Sequence, residues 1–504
     1  MRPLLAATVT VAALVAGAAG VGVAAPAAGA APHVVHAHPT ARRVPSSVTW
    51  PAPQWVARTV TGTSVGYVAQ SSPTAANVGG RTIVAVGAEN GYVYVTDAQT
   101  GAELPGWPRR MAAPPGASVA IESSPTIAWL DGPRRPPSII VGSGSTWVHD
   151  TVGEVEAFGL DGAVRWVFRV GAAPGTAVGV ISSPAVGDLT GSGQQDVVFG
   201  SWDHNLYALD PAGKVLPGFP YNNADTIWSS PSLYRLAGRA GDDIFLGSDA
   251  SGRPVSSAVD AQHCYGGFVG DYRYVHGTVV REWYHCENQA IWSSPAVGMI
   301  GSSHRPVVVV GTGFYYQPFP SDTDKVLAYY ADNGAPVPGW PVTTAGPALG
   351  SPAIGVINGS GQPSVVETTW VCATPERTGC FTGYRSEVDA WSGGGALLWS
   401  RKLVGPTDLA SPVLVPLEGE PTDDVLVGSP AGLYPLAGAT GGYLFGTNGT
   451  YRTATVNAGC AVYNSVAAVD VPGLGPRSGW HVFEGCGGPI QLGHPGELVS
   501  YRLP

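Results

Sequence analysis

Short apolar runs alternate with turn residues along most of the chain, and one arrangement of them recurs. Each copy begins with Ser-Ser-Pro or a variant, continues into an apolar run and a turn, and reaches a second apolar run that ends in glycine. The prolines of seven copies are 47 to 64 residues apart, at positions 73, 125, 184, 231, 295, 352 and 412, and a decayed copy lies at Asn464 and Ser465. A repeat of this length, rich in β-formers and turns, is typical of a four-stranded propeller blade.

Each repeat divides into four strands, a to d. The clearest unit reads SSPAVGDL, DVVFG, NLYALD and KVLPGFP, between residues 182 and 220. Eight copies of strands b and c can be placed, but only seven of strand d, where the phrases ELPGWP, KVLPGFP and PVPGWP are counted as strands. Residues 53–58, which precede the first repeat, resemble the missing strand. The sequence therefore predicts an all-β, eight-bladed propeller of antiparallel blades over residues 49–504, closed by an N-terminal strand that completes the last blade.

Composition and charge narrow the range of possible binding partners. Only 12% of the residues are charged, whereas Gly (70) and Pro (45) are abundant, which suits short strands joined by tight turns. The formal net charge of −10 and the lack of a basic patch argue against nucleic acid or an anionic membrane as partner. We expect a monomer. The abundance of Ala, Gly and Pro is typical of a GC-rich bacterial genome.

The N-terminal segment has the composition of an export signal. One arginine is followed by a small-residue apolar run, and Ala28-Gly29-Ala30 is a suitable cleavage site. Residues 1–30 are therefore predicted to be a signal peptide, residues 31–48 a flexible leader, and the protein to be secreted. A membrane anchor is the alternative, although a run dominated by Ala and Gly is weak as a spanning helix.

Two phrases carry a resemblance to known families. Residues 182–200, SSPAVGDLTGSGQQDVVFG, resemble the FG-GAP repeats of integrin-α-like propellers. Residues 206–220, LYALDPAGKVLPGFP, are similar to repeats of quinoprotein-dehydrogenase-like propellers and their non-catalytic relatives. The resemblance extends from about residue 50 to the end of the chain and implies the fold far more specifically than the function, since one propeller supports many activities.

The resemblance also implies two cofactors to consider. FG-GAP repeats wrap calcium in a loop of the type D-x-D-x-D-G-x-x-D, and the matching loop here offers Asp188, Thr190, Ser192 and Asp196. Only the outer aspartates survive, so weak calcium binding or a plain turn are the two interpretations. A quinone cofactor is disfavoured because the chain has no adjacent cysteine pair and no clear Asp-rich metal set.

Antiparallel pairing of the strands places the long insertions and the cysteines on one face of the propeller. The start of strand a, the end of b, the start of c and the end of d lie together, and the long insertions fall there, at residues 143–151, 248–265, 312–325 and 368–387. Six cysteines allow fifteen connectivities, but local pairing across this face is favoured by export and by strand proximity. The predicted pairs are Cys264–Cys286, Cys372–Cys380 and Cys460–Cys486.

The residues that precede each Ser-Pro are predicted to surround one end of the central channel. An aromatic and acidic rim there could stack on a sugar ring and bond its hydroxyls, or hold a cation. The alternative is that the tryptophans pack between blades. The candidate ligand-binding residues are Glu122, Trp228, Trp292, Asp408 and Tyr463.

Two functions remain open from the sequence, besides a purely structural spacer. The favoured one is non-catalytic binding of an extracellular glycan or protein through the disulfide-tied loop face. The alternative is a polysaccharide lyase, in which a His-Tyr pair of the same face abstracts a proton from a uronate. Candidate residues for that chemistry are His149, Asp150, Asp203, His204, His263, His285, Tyr315, Tyr316 and Tyr384.

Overall fold

The computed structural model describes most of the chain from residue 50 to residue 503. Outside the description lie residues 1–49, 63, 116, 147–150, 172–177, 224, 250–266, 288, 314–322, 372–384, 405–406, 408–409, 418–421, 430–431, 445–461, 472–479, 488–495 and 504. Within the described part, no helix is long and apolar enough to cross a membrane.

Eight antiparallel sheets follow one another along the chain and confirm the predicted propeller. The strands of blades 1 to 4 are β4 (Thr74–Val78), β5 (Arg81–Gly87), β6 (Tyr92–Asp97), β7 (Arg109–Arg110), β8 (Thr126–Ala128), β9 (Ser138–Gly142), β10 (Glu154–Gly159), β11 (Val164–Arg169), β12 (Ala185–Gly187), β13 (Asp196–Gly200), β14 (Asn205–Leu209), β15 (Tyr221–Asn222), β16 (Ser232–Tyr234), β17 (Asp243–Gly247), β18 (Phe268–Val275) and β19 (Thr278–Cys286).

The remaining blades complete the circle. Blades 5 to 8 contain β20 (Ala296–Gly298), β21 (Val307–Gly311), β22 (Lys325–Tyr330), β23 (Val342–Thr343), β24 (Ala353–Gly355), β25 (Ser364–Val371), β26 (Arg385–Trp391), β27 (Leu397–Val404), β28 (Val413–Val415), β29 (Asp424–Ser429), β30 (Gly432–Leu436), β31 (Ala467–Asp470), β32 (Trp480–Cys486), β33 (Glu497–Arg502) and β1 (Trp55–Arg58). A two-stranded hairpin, β2 (Val60–Thr61) with β3 (Ser64–Val65), lies between blades 8 and 1 in the chain.

The N-terminal strand completes the last blade. Strand β1 pairs with β33 in the order β1-β33-β32-β31, with Trp55 opposite Ser500 and Arg58 opposite Glu497. The indole of Trp55 then reaches the first blade, where Nε1 donates to the carbonyl of Ala98 at 2.9 Å. The closing strand therefore joins blade 8 to blade 1 as well as completing its sheet.

The second serine of each repeat forms a closed ring of hydrogen bonds around the inner strands. Its backbone amide donates to the hydroxyl of the equivalent serine in the next blade, at distances from 2.8 to 3.1 Å. The ring runs in the order Ser72, Ser124, Ser183, Ser230, Ser294, Ser351, Ser411, Ser465 and back to Ser72. The recurrent Ser-Ser-Pro phrase thus supplies the hydrogen bond that joins each blade to the next.

The first serine has a separate role, which explains the terminal glycine of strand b. In blade 3, the hydroxyl of Ser182 accepts from the amide of Gly200 at 3.2 Å. A Cβ at Gly200 would lie 2.1 Å from Ile227 of the next blade, so no side chain fits there. In the decayed repeat Asn464 replaces this serine, and its Nδ2 donates both to Gly485 within the blade and to Val68 of blade 1.

Tryptophan indoles link the blades a second time, at the turns between strands c and d. The Nε1 atoms donate to backbone carbonyls of the following blade, from Trp55, Trp107, Trp166, Trp283, Trp340 and Trp399 to Ala98, Leu160, Pro211, Ala331, Gly393 and Gly438 respectively. We call these contacts the tryptophan latches. Each one fixes a polar group between two buried apolar layers.

Strand d differs from the sequence prediction in the odd blades. The phrases ELPGWP, KVLPGFP and PVPGWP are counted as strand d in the repeat, although LPGWP and LPGFP are also predicted to be Pro and Gly turns around a buried aromatic residue. In the structure they form turns, and two-residue strands follow them as β7, β15 and β23. Among the described residues, blade 7 has three strands, and a single bridge between Leu436 and Tyr443 follows them. Proline lacks the backbone amide hydrogen that a strand ladder needs, which explains the difference in blades 1, 3 and 5. Blades 2, 4 and 6 have longer d strands, so the repeat alternates in pairs of blades.

Candidate functional site

Two sets of equivalent residues come together at one end of the channel, which we call the mouth. The lead-in positions lie two residues before each serine of the hydrogen-bonded ring. The described ones are Gln70, Glu122, Ile181, Trp228, Trp292, Leu349 and Tyr463. The turn positions lie two residues beyond the position of strand b that Gly200 occupies in blade 3, and the described ones are Glu89, Gly144, Trp202, Asp249, Gly313, Trp370 and Gly487. Strands a and b are antiparallel, so strand a starts at the end of the blade where strand b ends. Both sets of residues therefore lie at the same end of the propeller.

Backbone hydrogen bonds hold six of the seven described turn positions against the lead-in segment of their own blade. The amide of Trp202 donates to Gly179 at 3.0 Å, and that of Asp249 donates to Thr226 at 3.0 Å. The side chain at a turn position then packs against the lead-in residue of the next blade. Neighbouring blades therefore supply paired side chains around the mouth.

Three tryptophans form a continuous stack across blades 3, 4 and 5. The ring centroids of Trp202 and Trp228 are 4.6 Å apart, and those of Trp228 and Trp292 are 5.0 Å apart with planes inclined by 20°. Trp202 and Trp292 are buried and Trp228 is half-buried. Trp228 and Trp292 are predicted to line one end of the channel, with packing between blades as the alternative. The structure stacks the two indoles on each other across neighbouring blades, and ligand binding by them stays a prediction.

Asp249 fixes the orientation of this stack. Its Oδ1 accepts from Nε1 of Trp292 at 2.8 Å, and its Oδ2 accepts from the hydroxyl of Thr226 at 2.9 Å. That hydroxyl in turn accepts from Nε1 of Trp228 at 3.0 Å. A single carboxylate thus holds two indoles in place, so the stack is preorganised and not merely a hydrophobic contact.

Two carboxyl groups meet at the same end of the channel in blades 1 and 2. Glu122 is fully buried, and its Oε1 accepts from the Ser145 hydroxyl at 2.6 Å and from the amide and hydroxyl of Thr146 at 2.7 and 3.0 Å. Burial and the charge of Glu122 raise the pKa of Glu89 well above its ordinary value. Both effects favour the neutral form of Glu89 over its charged form.

The other predicted mouth residues are less informative. Tyr463 is buried at the lead-in position of blade 8. Asp408 lies outside the described residues, one residue before the lead-in position of blade 7. The structure thus brings Trp228 and Trp292 into contact and places Glu122 in a separate acidic pair.

The four residues predicted for calcium share one loop, but their contacts are those of a turn. Asp188 accepts from the amides of Ser192 and Gly193 at 3.0 and 2.9 Å, and Thr190 bonds to the Ser192 hydroxyl at 2.7 Å. The guanidinium of Arg235 in the next blade lies 3.1 Å from Asp188, so a protein side chain already supplies the positive charge beside this carboxylate. Among the described residues, no three His, Cys, Asp or Glu side chains converge as for a metal. Calcium binding therefore stays a prediction that this loop does not favour.

The proton-transfer candidates do not converge in the described residues. Asp203 accepts from the Tyr207 hydroxyl at 2.5 Å, and His204 has a left-handed φ of 70° at the turn into strand β14. His285 stacks on Tyr329 with ring centroids 4.1 Å apart, beside an open groove of about 510 Å³ between blades 4 and 5. Candidates at 149, 150, 263, 315, 316 and 384 lie outside the description.

The described cysteines, Cys286 and Cys486, are not free thiols. Their predicted partners, Cys264 and Cys460, lie outside the described residues, as does the third predicted pair, Cys372 with Cys380. The proposed pairing therefore stays a prediction.

Sequence reasoning missed the turn positions, including Glu89, Trp202 and Asp249. Their signal was a fixed offset from the glycine that ends strand b, which becomes visible once the eight b strands are aligned. Because the residue types at this offset differ from blade to blade, composition alone does not single them out.

Comparisons with known proteins identify the fold. No family model matches the chain, and no curated protein matches it in sequence. Among solved structures, it is similar to quinohemoprotein alcohol dehydrogenase from Comamonas testosteroni, with a TM-score of 0.55 and 15% identity, over 91% of this chain and 77% of that one. It is also similar to quinohemoprotein alcohol dehydrogenase ADHIIG from Pseudomonas putida HK5, with a TM-score of 0.54 and 13% identity, over 90% and 76%. At these identities the likeness shows a shared β-propeller fold.

Proposed function

We propose that this protein is a secreted, non-catalytic binding protein whose channel mouth binds an extracellular carbohydrate. The observation that carries the proposal is the stack of Trp202, Trp228 and Trp292, held by Asp249 through two fixed hydrogen bonds. Indoles present apolar faces to the C–H groups of a sugar ring, and carboxylates accept from its hydroxyls. The signal-like N-terminus and the FG-GAP resemblance support an extracellular site of action.

The burial of the tryptophans is compatible with a binding role. Trp228 is half-buried, whereas its two neighbours are buried, so it offers the accessible edge of the stack. The neighbours and Asp249 hold that edge in one orientation. Such preorganisation lowers the entropy that a ligand-binding aromatic group loses on association.

Substitution of Trp228 tests this proposal. A glycan array should first identify bound oligosaccharides, and titration of the best of them should then show at least about tenfold weaker binding to W228A, or about 1.4 kcal/mol. The matched control is W129A, because Trp129 is also half-buried but lies in the turn between strands a and b of blade 2, at the opposite face. Equal binding by W228A and wild type, or no glycan binding by the wild type, would reject the proposal.

A polysaccharide lyase is the second candidate, and the His285–Tyr329 stack is the observation that favours it. The pair is committed to structural contacts, however. A ring nitrogen of His285 lies 2.6 Å from the Gly334 carbonyl, and the Tyr329 hydroxyl donates to Glu287 at 2.5 Å. Burial and Glu287 raise the pKa of Tyr329 above its ordinary value, which opposes its use as a base. We therefore favour binding.

A further inference from the structure

A cavity of about 430 Å³ opens between blades 5 and 6. Its charged lining comes from blade 6, where Glu387 and Asp389 of β26 face it together with Ser400 of β27. The rest of its lining includes Pro341, Val342, Thr343, Ala345, Trp391 and Leu397. A concave space with apolar walls and a few convergent polar groups is the usual form of a small-molecule site.

Blade 2 has the equivalent acidic position, but there a longer side chain fills the gap. The phrases GEVEAF of blade 2 and SEVDAW of blade 6 match, so Glu156 is the equivalent of Asp389. Glu156 reaches across to blade 1, where its Oε1 accepts from the amide of Ala112 at 2.5 Å. Ala345 is the equivalent of Ala112, since each lies two residues after the short strand d of its blade, and Ala345 lines the cavity. Aspartate is one methylene shorter than glutamate, so in blade 6 the corresponding space stays open.

The two carboxyl groups of the cavity share one hydroxyl donor. The Ser400 hydroxyl lies 3.4 Å from Oε2 of Glu387 and also hydrogen-bonds to Asp389. A hydroxyl has a single hydrogen, so it cannot donate fully to both groups. Lys402 pairs with Glu387 at 3.5 Å, whereas none of the ion pairs among the described residues includes Asp389, although only 4% of Asp389 is exposed. A further donor at Asp389 would therefore be stabilising.

The charges at the cavity are also incompletely balanced. Burial and the nearby charge of Glu387 raise the pKa of Asp389 to about 6, so this group is mainly ionised at about pH 8. Lys402 balances one of the two carboxyl groups. A protonated amine offers three N–H donors and one positive charge, which meets both needs. Walls such as Pro341 and Leu397 suit an alkyl chain, and among the described residues no three His, Cys, Asp or Glu side chains converge as for a metal.

We propose that the cavity between blades 5 and 6 binds a protonated alkylamine, whose ammonium group donates to Asp389 and Glu387 and whose alkyl chain packs against Pro341 and Leu397. This site is separate from the mouth and does not depend on the carbohydrate proposed to bind there. A free amine and the lysine side chain of a partner protein present the same chemical group, and the test distinguishes these two sources.

Titration calorimetry at about pH 8 compares n-butylammonium with 1-butanol, which has the same alkyl chain without the charge. The wild type should bind the ammonium at least about tenfold more tightly than the alcohol. D389N keeps the size of the side chain but removes its charge, so it should lose at least about tenfold in affinity for the ammonium. The matched control is E156Q, which removes the equivalent carboxyl of blade 2 and should bind as the wild type does.

Two further measurements separate a built site from general attraction to an acidic surface. D389E keeps the charge, but its longer side chain should fill the cavity towards the Ala345 amide, as Glu156 does towards Ala112, and weaken ammonium binding at least about tenfold. Wild-type affinity should rise about tenfold between about pH 5 and pH 8, because Asp389 ionises in this range while an amine with a pKa of about 10.4 stays protonated. This rise should be absent in D389N.

The outcomes decide between the proposal and its rejection. Equal affinities for butylammonium and 1-butanol, or unchanged ammonium binding in both D389N and D389E, would overturn the amine site. Comparable affinity for the blocked peptide acetyl-Gly-Lys-Gly-amide would support the site with a partner's lysine as its source, whereas much weaker peptide binding would support a free amine. If D389N does not fold, D389E decides, because it retains the charge of the position.

Discussion

A chain that begins at residue 61 is expected to melt about 5–10 °C below a chain that begins at residue 49. The shorter chain lacks β1, so the edge of β33 loses its partner and blade 8 becomes three-stranded. It also loses the Trp55 indole, which bonds to Ala98 and packs against Phe483. Closing strands remove an open sheet edge and join the first blade to the last, so their loss affects the whole ring.

Thermal unfolding followed by circular dichroism measures this difference. The chain that begins at residue 49 is the control, since it already lacks the predicted signal peptide and leader. The shorter chain should also self-associate at high concentration through the exposed β33 edge. Equal melting temperatures for the two chains would show that β1 contributes nothing to the closure.

Replacing Trp283 by alanine is expected to cost about 3–5 kcal/mol of unfolding free energy. Trp283 lies in β19 and is buried against Phe245 and Tyr329. Its Nε1 donates to the Ala331 carbonyl at 2.8 Å, which makes it the latch between blades 4 and 5. The substitution removes a large apolar side chain and leaves a buried carbonyl without its donor.

Denaturant unfolding of W283A and W283F separates the two contributions. The phenylalanine variant keeps most of the packing and loses only the N–H donor, so its cost should be about 1–2 kcal/mol. An alanine variant as stable as the wild type would contradict the role of the latch. Identical losses in the two variants would assign the whole effect to the hydrogen bond.

The sequence was sufficient for the architecture because the repeat itself contains the inter-blade contacts. The serine that recurs in each copy is the residue that bonds to the next blade, so even the decayed copy keeps Ser465 in the ring. The closing strand was predictable for a related reason, since an unpaired run at 53–58 and a missing strand at the C-terminus fit one sheet. Both features can be recognised from local sequence patterns, without knowledge of contacts between distant residues.

The paired alternation of blades was overlooked, although its signal is present. The phrases that end in Pro108, Pro220 and Pro341 occur in blades 1, 3 and 5 and are turns. They were counted as strand d because they occupy its place in the repeat, although LPGWP and LPGFP also have the Pro and Gly residues of turns. The two or three prolines of each phrase decide against a strand, because a residue without a backbone amide hydrogen cannot donate to a ladder.

The candidate site was only partly predictable. Glu122, Trp228 and Trp292 follow from their place before the serines, whereas their partners Glu89, Trp202 and Asp249 come from another segment of the repeat. Which turn residue meets which lead-in residue depends on contact between successive blades, at sequence separations of 26, 33 and 43 residues for the pairs Trp202–Trp228, Glu89–Glu122 and Asp249–Trp292. Patterns within one repeat do not reveal such contacts.

Covalent trapping of the two chain ends tests the closed eight-bladed ring most directly. Arg58 and Glu497 are register partners in β1 and β33, with Nε and Oε1 3.9 Å apart. In R58C/E497C, non-reducing peptide mapping should find a disulfide between positions 58 and 497 within one molecule, and its formation should raise the melting temperature. Free thiols at both positions, or a bond only between molecules, would contradict the closure and the arrangement of the mouth that depends on it.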